Sequence, residues 1–458
     1  MTHRPESHAG GDDARKTSTH ETSAAETKAL EADARAAVVR ETNVLKGHAR
    51  ETDAREPDAR EAHERLRRRY RRLLTFTIFL TFDLIIFGAF VRLVDAGLGC
   101  PDWPGCYGKL TPFGAMNEIM AEVAVQPDGP VTVFKAWVEM LHRYIATGLG
   151  MLVIALVWLS WRWRRQAQAL EVSVQNAADL RAADDAPAAA AAADASRVEG
   201  LSAAAHGATS HKVFNSNPAA PAALRYADGS FAPSLALAVF TLAWIILQGM
   251  FGMWTVTLKL MPLVVTLHLL GAMILFMALM AQYNRVQPQP VVDVAARPLR
   301  PWVRALLVLV VVQVGLGGWV SSNYAALACT DFPMCHESWW PEMDMEGAFE
   351  LWRPLGMRAD GNALDYTALT AIHYVHRLVA YLVFVCAGVL AWRVRRMTGL
   401  VRLSAWLGAV LTAQLLSGLA NVFLGWPLLA ALLHTAGAAA LIGIVFMLDF
   451  RIRHADAN

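Results

Sequence analysis

Eight apolar runs constrain this chain more than any other feature. They lie near residues 73–94, 133–160, 233–256, 262–283, 303–321, 367–392, 402–424 and 427–449. At 1.5 Å per residue, about 20 residues of helix cross a hydrocarbon core of about 30 Å. Backbone groups in that core must be paired within the structure that spans it, so runs of this length predict helices. The expectation is an all-α integral membrane protein with eight transmembrane helices. Composition agrees, since 55% of the 458 residues are hydrophobic and the mean hydropathy of +0.34 is high for a soluble domain.

Charge placement orients the spans. The net charge of +2 says little, and no basic and aromatic patch of the nucleic-acid-binding kind stands out, so no nucleic-acid partner is expected. Arginines gather at Arg65–Arg72, Arg162–Arg165, Arg285–Arg304, Arg393–Arg396 and Arg451–Arg453, all on one side of the eight-span layout. By the positive-inside rule both termini are cytoplasmic, and the segments 95–132 and 322–366 lie outside. These two segments hold Cys100, Cys106, Cys329 and Cys335, on the face where disulfides persist. A multi-pass protein of a bacterial inner membrane is expected. A mitochondrial inner membrane fits less well, because residues 1–64 are rich in Glu and Asp, unlike a transit peptide.

Outside the spans, residues 1–64 read as a disordered cytoplasmic tail and residues 166–232, with the run Ala188–Ala193, as an Ala-rich low-complexity cytoplasmic insertion. Residues 451–458 form a short cytoplasmic tail. Cys386, inside an apolar run, is expected to be a buried small hydrophobe.

The second half of the chain repeats the first. Cys100-Pro-Asp-Trp-Pro-Gly-Cys106 matches Cys329-Thr-Asp-Phe-Pro-Met-Cys335 in spacing, and Gly88 and Gly317 each stand twelve residues before the first cysteine. His142-Arg143 returns as His376-Arg377. Gln248, Gly252 and His268 return at the same spacing as Gln414, Gly418 and His434. Two tandem four-helix bundles follow, one from 65–165 with 233–285 and one from 300–450. Each has an even number of spans, so the two share an orientation and are expected to be related by a pseudo-twofold axis along the membrane normal.

Four matched histidines in membrane helices point to function, because ionisable groups are expensive there. A single membrane histidine could simply hydrogen-bond a neighbouring helix. His142, His268, His376 and His434 recur as a set, two to a bundle. A closed zinc site normally needs four ligands, whereas a macrocycle that brings four equatorial nitrogens needs two. The count favours haem, one per bundle. Arg92, Arg143 and Arg377 could pair with propionates, the alternative for the latter two being snorkelling to the interface.

The first-loop pattern Gly97-Leu-Gly-Cys100-Pro-Asp-Trp-Pro-Gly-Cys106, the Glu139-x-x-His142-Arg143 element, the paired His268 and His434 and the duplicated four-helix units resemble the heme A synthase family over roughly 72–165 and 233–450. The resemblance implies a membrane oxidoreductase that converts the C8 methyl of haem O to the formyl of haem A for terminal oxidases. It implies His142 and His268 as ligands of the substrate haem and His376 and His434 as ligands of a haem b cofactor. Glu139 matches the family's functionally important glutamate. Three residues before His142 and on its helix face, Glu139 could move protons or stabilise developing positive charge, or merely orient a ligand.

The cysteine pairs read either as staples of the outer loops or as redox-active disulfides. The resemblance adds electron or haem transfer for the first pair, and a zinc site spanning both loops suits an oxidising compartment poorly. Two other classes compete, a di-haem b-type electron carrier between a quinol and an outer-face acceptor, and a transporter with histidine proton relays. The partners expected are haem O, a haem O synthase, an electron donor of unstated identity, membrane lipid and a second copy of the chain.

Overall fold

The computed structural model describes residues 61–127, 129–199, 232–288 and 290–454, with positions 32, 33, 36 and 40. Most of the predicted N-terminal tail, the end of the Ala-rich insertion and the last four residues lie outside the described set. Among the described residues eight helices are long and apolar enough to cross a membrane. They are α1 (Glu61–Leu93), α3 (spanning over Val133–Ala169), α4 (Leu235–Thr257), α5 (Pro262–Val286), α6 (Arg300–Ser322), α8 (Tyr366–Val394), α9 (Val401–Phe423) and α10 (Leu428–Arg453). Between spans lie α2 (Met116–Val125) and the single turn α7 (Met345–Ala348).

Two helix ends depart from expectation. α1 is already helical at Glu61, the first described residue of the segment and well before the apolar run, because the charged segment up to Arg72 is itself helix-compatible. The helical backbone of α3 runs on to Glu199, so residues 166–199 of the expected insertion are helical, as alanine favours. Among the described residues, 66–164, 232–288 and 290–454 belong to one compact unit, which holds most of both expected bundles, and 61–65 with 165–199 belong to another.

Local chemistry explains the spans. Ser234 caps α4, its Oγ accepting from the Leu237 N–H at 3.3 Å, and α5 opens with Pro262, where a missing N–H costs nothing. Thr77, Thr81, Ser160 and Thr241 donate their hydroxyls to carbonyls four residues back, satisfying themselves inside apolar helices. Phe79, Met151, Ile246, Val308 and Leu416 are all more than half exposed. In water such a belt would drive aggregation, whereas in lipid it is the solvent-facing surface. Cys386 belongs to this belt. It is exposed on α8, a correction to the expected burial, since an apolar run shows no inward face from its composition alone.

The main core joins α5, α6, α8, α9 and α10, with Ile85 of α1 reaching into it. α10 packs on α9, α6 and α5, and α6 packs on α5 and α8. Away from the cysteine loops, one polar network ties four helices. The Tyr70 hydroxyl donates to Gln282 Oε1 at 2.9 Å, Gln282 Nε2 donates to Thr241 at 2.8 Å, and the Tyr70 ring stands edge-on to Trp163 at 5.4 Å. Tyr70, Trp163, Thr241 and Gln282 come from α1, α3, α4 and α5, so this network fastens the helices assigned to the first bundle.

Candidate functional site

Each of the four histidines lies against a glycine of the preceding span. A Cβ built on Gly88 would sit 3.2 Å from His142 Nε2, and one on Gly317 would sit 3.1 Å from His376 Cε1. The corresponding separations are 3.5 Å for Gly252 and His268 and 3.4 Å for Gly418 and His434. The bare glycine leaves room for an imidazole between helices that would otherwise touch. The pairs are therefore α1 with α3, α4 with α5, α6 with α8, and α9 with α10.

All four imidazoles line one cavity of about 1040 Å3. His142 lies within electrostatic reach of His268, and His376 of His434, so the four side chains group by halves. Among the described residues no group of three or more His, Cys, Asp or Glu could hold a metal ion. Two imidazoles per half suit a metal that brings its own equatorial donors.

The two halves hold their histidines differently. Gln313 Nε2 lies 3.1 Å from His376 Nδ1 and donates to the His376 carbonyl at 3.1 Å. The Ser417 hydroxyl lies 3.0 Å from His434 Nδ1. At the equivalent positions of the first half stand Leu84 and Phe251. There the Leu84 main-chain carbonyl faces His142, and His268 Nδ1 is buried without a partner among the described residues. The repeat spacing reveals the Ser417 and Phe251 difference once the halves are aligned on their histidines.

The cysteines close as Cys100–Cys106 and Cys329–Cys335, with Cα separations of 4.9 and 5.1 Å. Each disulfide shuts a tight hairpin. Asp102 accepts from the Tyr107 and Gly108 N–H groups at 2.6 and 2.7 Å, and Asp331 accepts from those of His336 and Glu337, both at 2.9 Å. Burial works to raise the Asp331 carboxyl, but the donors from Glu337 and His336, with Arg377 nearby, outweigh it and hold it below its ordinary value.

Both hairpins are fastened to the histidine-bearing helices by the same positions. Arg143 Nη1 donates to the Asp102 and Gly105 carbonyls at 2.9 and 2.7 Å, and Arg377 Nη1 donates to those of Asp331 and Met334 at 2.8 and 2.6 Å. Glu139 Oε2 accepts the Cys100 N–H at 2.8 Å, and its other oxygen pairs with Arg143. His373 Nδ1 accepts the Cys329 N–H at 3.3 Å. Glu139 and His373, different in chemistry, thus pin the first cysteine of their own hairpins. Carbonyl acceptors carry no sequence signal, so the arginine anchors were not legible in advance.

Arg92 occupies a third setting. It donates to the Ser321 carbonyl at 2.7 Å and to Asp95 at 3.0 Å, and its guanidinium lies 4.0 Å over the Tyr324 ring. The Tyr324 hydroxyl donates to Asp95 at 2.7 Å. Residues 92 and 95 correspond to 321 and 324 in the repeat, so equivalent positions of the two halves meet here.

The family model of the cytochrome oxidase assembly proteins (COX15-CtaA) matches residues 71–177 and 219–446. The chain belongs to this family. The heme A synthase of Shewanella oneidensis is 33% identical over 388 residues, covering 84% of this chain and 97% of that protein. The heme A synthase of Rhizobium meliloti is 22% identical over 403 residues, 83% of this chain and 89% of its own length. That of Caulobacter vibrioides is 30% identical over 218 residues, 45% of this chain and 60% of its own. The family match takes in all four histidines, both disulfide hairpins and Glu139, and it passes over residues 178–218 of the expected insertion.

Proposed function

We propose that this chain is a heme A synthase, a membrane oxidoreductase that converts the C8 methyl of haem O to a formyl group. The observation that carries the reading is the unequal treatment of two matched histidine pairs on one cavity. His376 and His434, steadied by Gln313 and Ser417, suit a resident haem b. His142 and His268, in the half that has Leu84 and Phe251 at the positions of Gln313 and Ser417, suit a haem that arrives as substrate and leaves as product. The fit rests on this chain's own features: four glycines leave the imidazoles room, and the His268 Nδ1 is an orphan. A di-haem electron carrier would need two similarly held haems, which this asymmetry does not favour.

When bound, the haem of the C-terminal bundle supplies an iron that takes up and gives back single electrons. The remaining work falls to side chains. His142 and His268 orient the substrate ring between α3 and α5. The largely apolar cavity wall, with Leu84, Leu242 and Ile245, excludes water from the reacting methyl. Glu139 lies on the cavity wall, and we assign its carboxylate the task of holding or passing a proton at Oε1 or Oε2. Arg143 and Arg377 serve first as hairpin anchors, and propionate pairing would use whatever donor capacity remains. Arg92 serves the seam between the halves, where a pseudo-twofold axis would pass. The arginine-rich helix ends opposite the hairpins favour termini in the cytoplasm of a bacterium and hairpins outside. A haem O synthase supplies the substrate.

Glu139→Gln separates proton transfer from anchoring, because the amide oxygen still accepts the Cys100 N–H. In cells supplied with haem O, the wild-type chain is expected to yield haem A and the variant to bind haem O without converting it. Normal haem A output from Glu139→Gln would reduce Glu139 to an anchor. Absence of haem A from wild-type cells would overturn the function.

A further inference from the structure

Gln248 and Gln414 hold equivalent places on α4 and α9, four residues before the glycines that back His268 and His434. Both line the cavity, and each is 7% exposed. Their hydrogen bonding differs. Gln414 Nε2 donates to the main-chain carbonyl of His434 at 2.8 Å. Gln248 has both Oε1 and Nε2 buried, and neither has a partner among the described residues. Its amide rests on the bare α-carbon of Gly271, where an added Cβ would fall 1.6 Å from Nε2. The Gly271 carbonyl is occupied by Trp244 Nε1 at 2.8 Å, while Val410, at the equivalent place of the second half, offers no such donor.

A buried amide with both ends unsatisfied is costly and rare, and it calls for a group that completes it. An amide offers two donors and an acceptor, which suits a group that both donates and accepts. Gln248 lies near the middle of α4, about 6 Å further from the hairpin end than Gly252. At that depth a carboxylate such as a propionate is expensive, and a neutral hydroxyl is not. Haem O differs from haem b in bearing, in place of one vinyl group, an isoprenoid chain with a hydroxyl where the chain joins the ring.

We propose that the Gln248 amide hydrogen-bonds this hydroxyl and thereby makes the N-terminal bundle select haem O over haem b. The inference rests on assigning that bundle to the substrate. In the C-terminal bundle the equivalent Gln414 is committed to the His434 carbonyl, so that position does not reward the hydroxyl. The acceptors of that half without a partner among the described residues, Gln313 Oε1 and Asn421 Oδ1, stand at other positions of the cavity and offer no amide with both ends buried and unpaired.

The test is the haem content of purified holoprotein from cells that make both haem O and haem b, read by extraction and chromatography. In Gln248→Leu and in the shape-matched Gln248→Met, haem b is expected to enter the N-terminal bundle. The ratio of isoprenoid haems to haem b then falls about three- to tenfold, the worth of one hydrogen bond. Gln414→Leu is expected to move the ratio the other way, by loosening haem b. An unchanged ratio in both Gln248 variants, from a wild type that does carry haem O or haem A, would overturn the role of Gln248 alone. A wild type that carries neither haem O nor haem A would overturn the substrate assignment as well.

Discussion

Substituting alanine for each of the four histidine-backing glycines should split them into two pairs. An ordinary contact between heavy atoms is about 3.5–4.0 Å. At Gly88 and Gly317 the new methyl would lie 3.2 and 3.1 Å from the ring, so the imidazole must give by about 0.3–0.4 Å or more. His376 has little freedom to do so, with Gln313 Nε2 3.1 Å from its Nδ1 and bonded to its carbonyl, and the Phe87 ring crowds His142 at 5.7 Å. Overpacking costs about 1–3 kcal/mol, against about 1 kcal/mol gained by replacing glycine within a helix. Gly88→Ala and Gly317→Ala are therefore expected to lose up to about 2 kcal/mol and to release haem from their own bundle. Gly252→Ala and Gly418→Ala, at 3.5 and 3.4 Å, meet only ordinary contacts and should keep haem with equal or slightly higher stability. Haem content per chain and thermal unfolding in detergent measure both effects. If all four variants shed haem alike, the packing argument is wrong.

Three further outcomes are expected. Ser417→Ala removes the hydroxyl 3.0 Å from His434 Nδ1, so haem b should dissociate about three- to tenfold faster while the N-terminal haem is unaffected. Donation from the Gly347 N–H, with Arg358 assisting, holds the Asp344 carboxyl below its ordinary value. That contribution is present above the unfolded carboxylate range and lost as pH falls through the folded value, so proteolysis of the 340–365 loop should quicken below about pH 4. Asp344→Asn should remove that pH dependence. Gln282→Leu leaves the Tyr70 hydroxyl and Thr241 without their shared partner and should lower the unfolding free energy by about 1–3 kcal/mol without changing which haems are bound, as unfolding and extraction would register.

Span number and the histidine set were legible because length, hydropathy and an internal repeat are properties of the sequence itself. Where helices end was not, since Arg65–Arg72 and the alanines after Arg165 are helix formers with no apolar signal. Arginine roles were read only in outline. Arg143 and Arg377 do meet acceptors at the hairpin end, but those acceptors are main-chain carbonyls, which any sequence supplies. Cys386 shows the limit of composition, because a helix apolar all round conceals which side meets lipid. The unequal support of the two histidine pairs was present in the sequence as Leu84 against Gln313 and Phe251 against Ser417, and it gains meaning only once Gln313 and Ser417 are seen at the rings.

The division of labour between the halves is tested most directly by removing one ligand from each and identifying the haem that remains. His268→Ala is expected to lose haem O and haem A and keep haem b, and His434→Ala to lose haem b. If both variants lost the same haem, the assignment of substrate and cofactor to separate bundles would be contradicted.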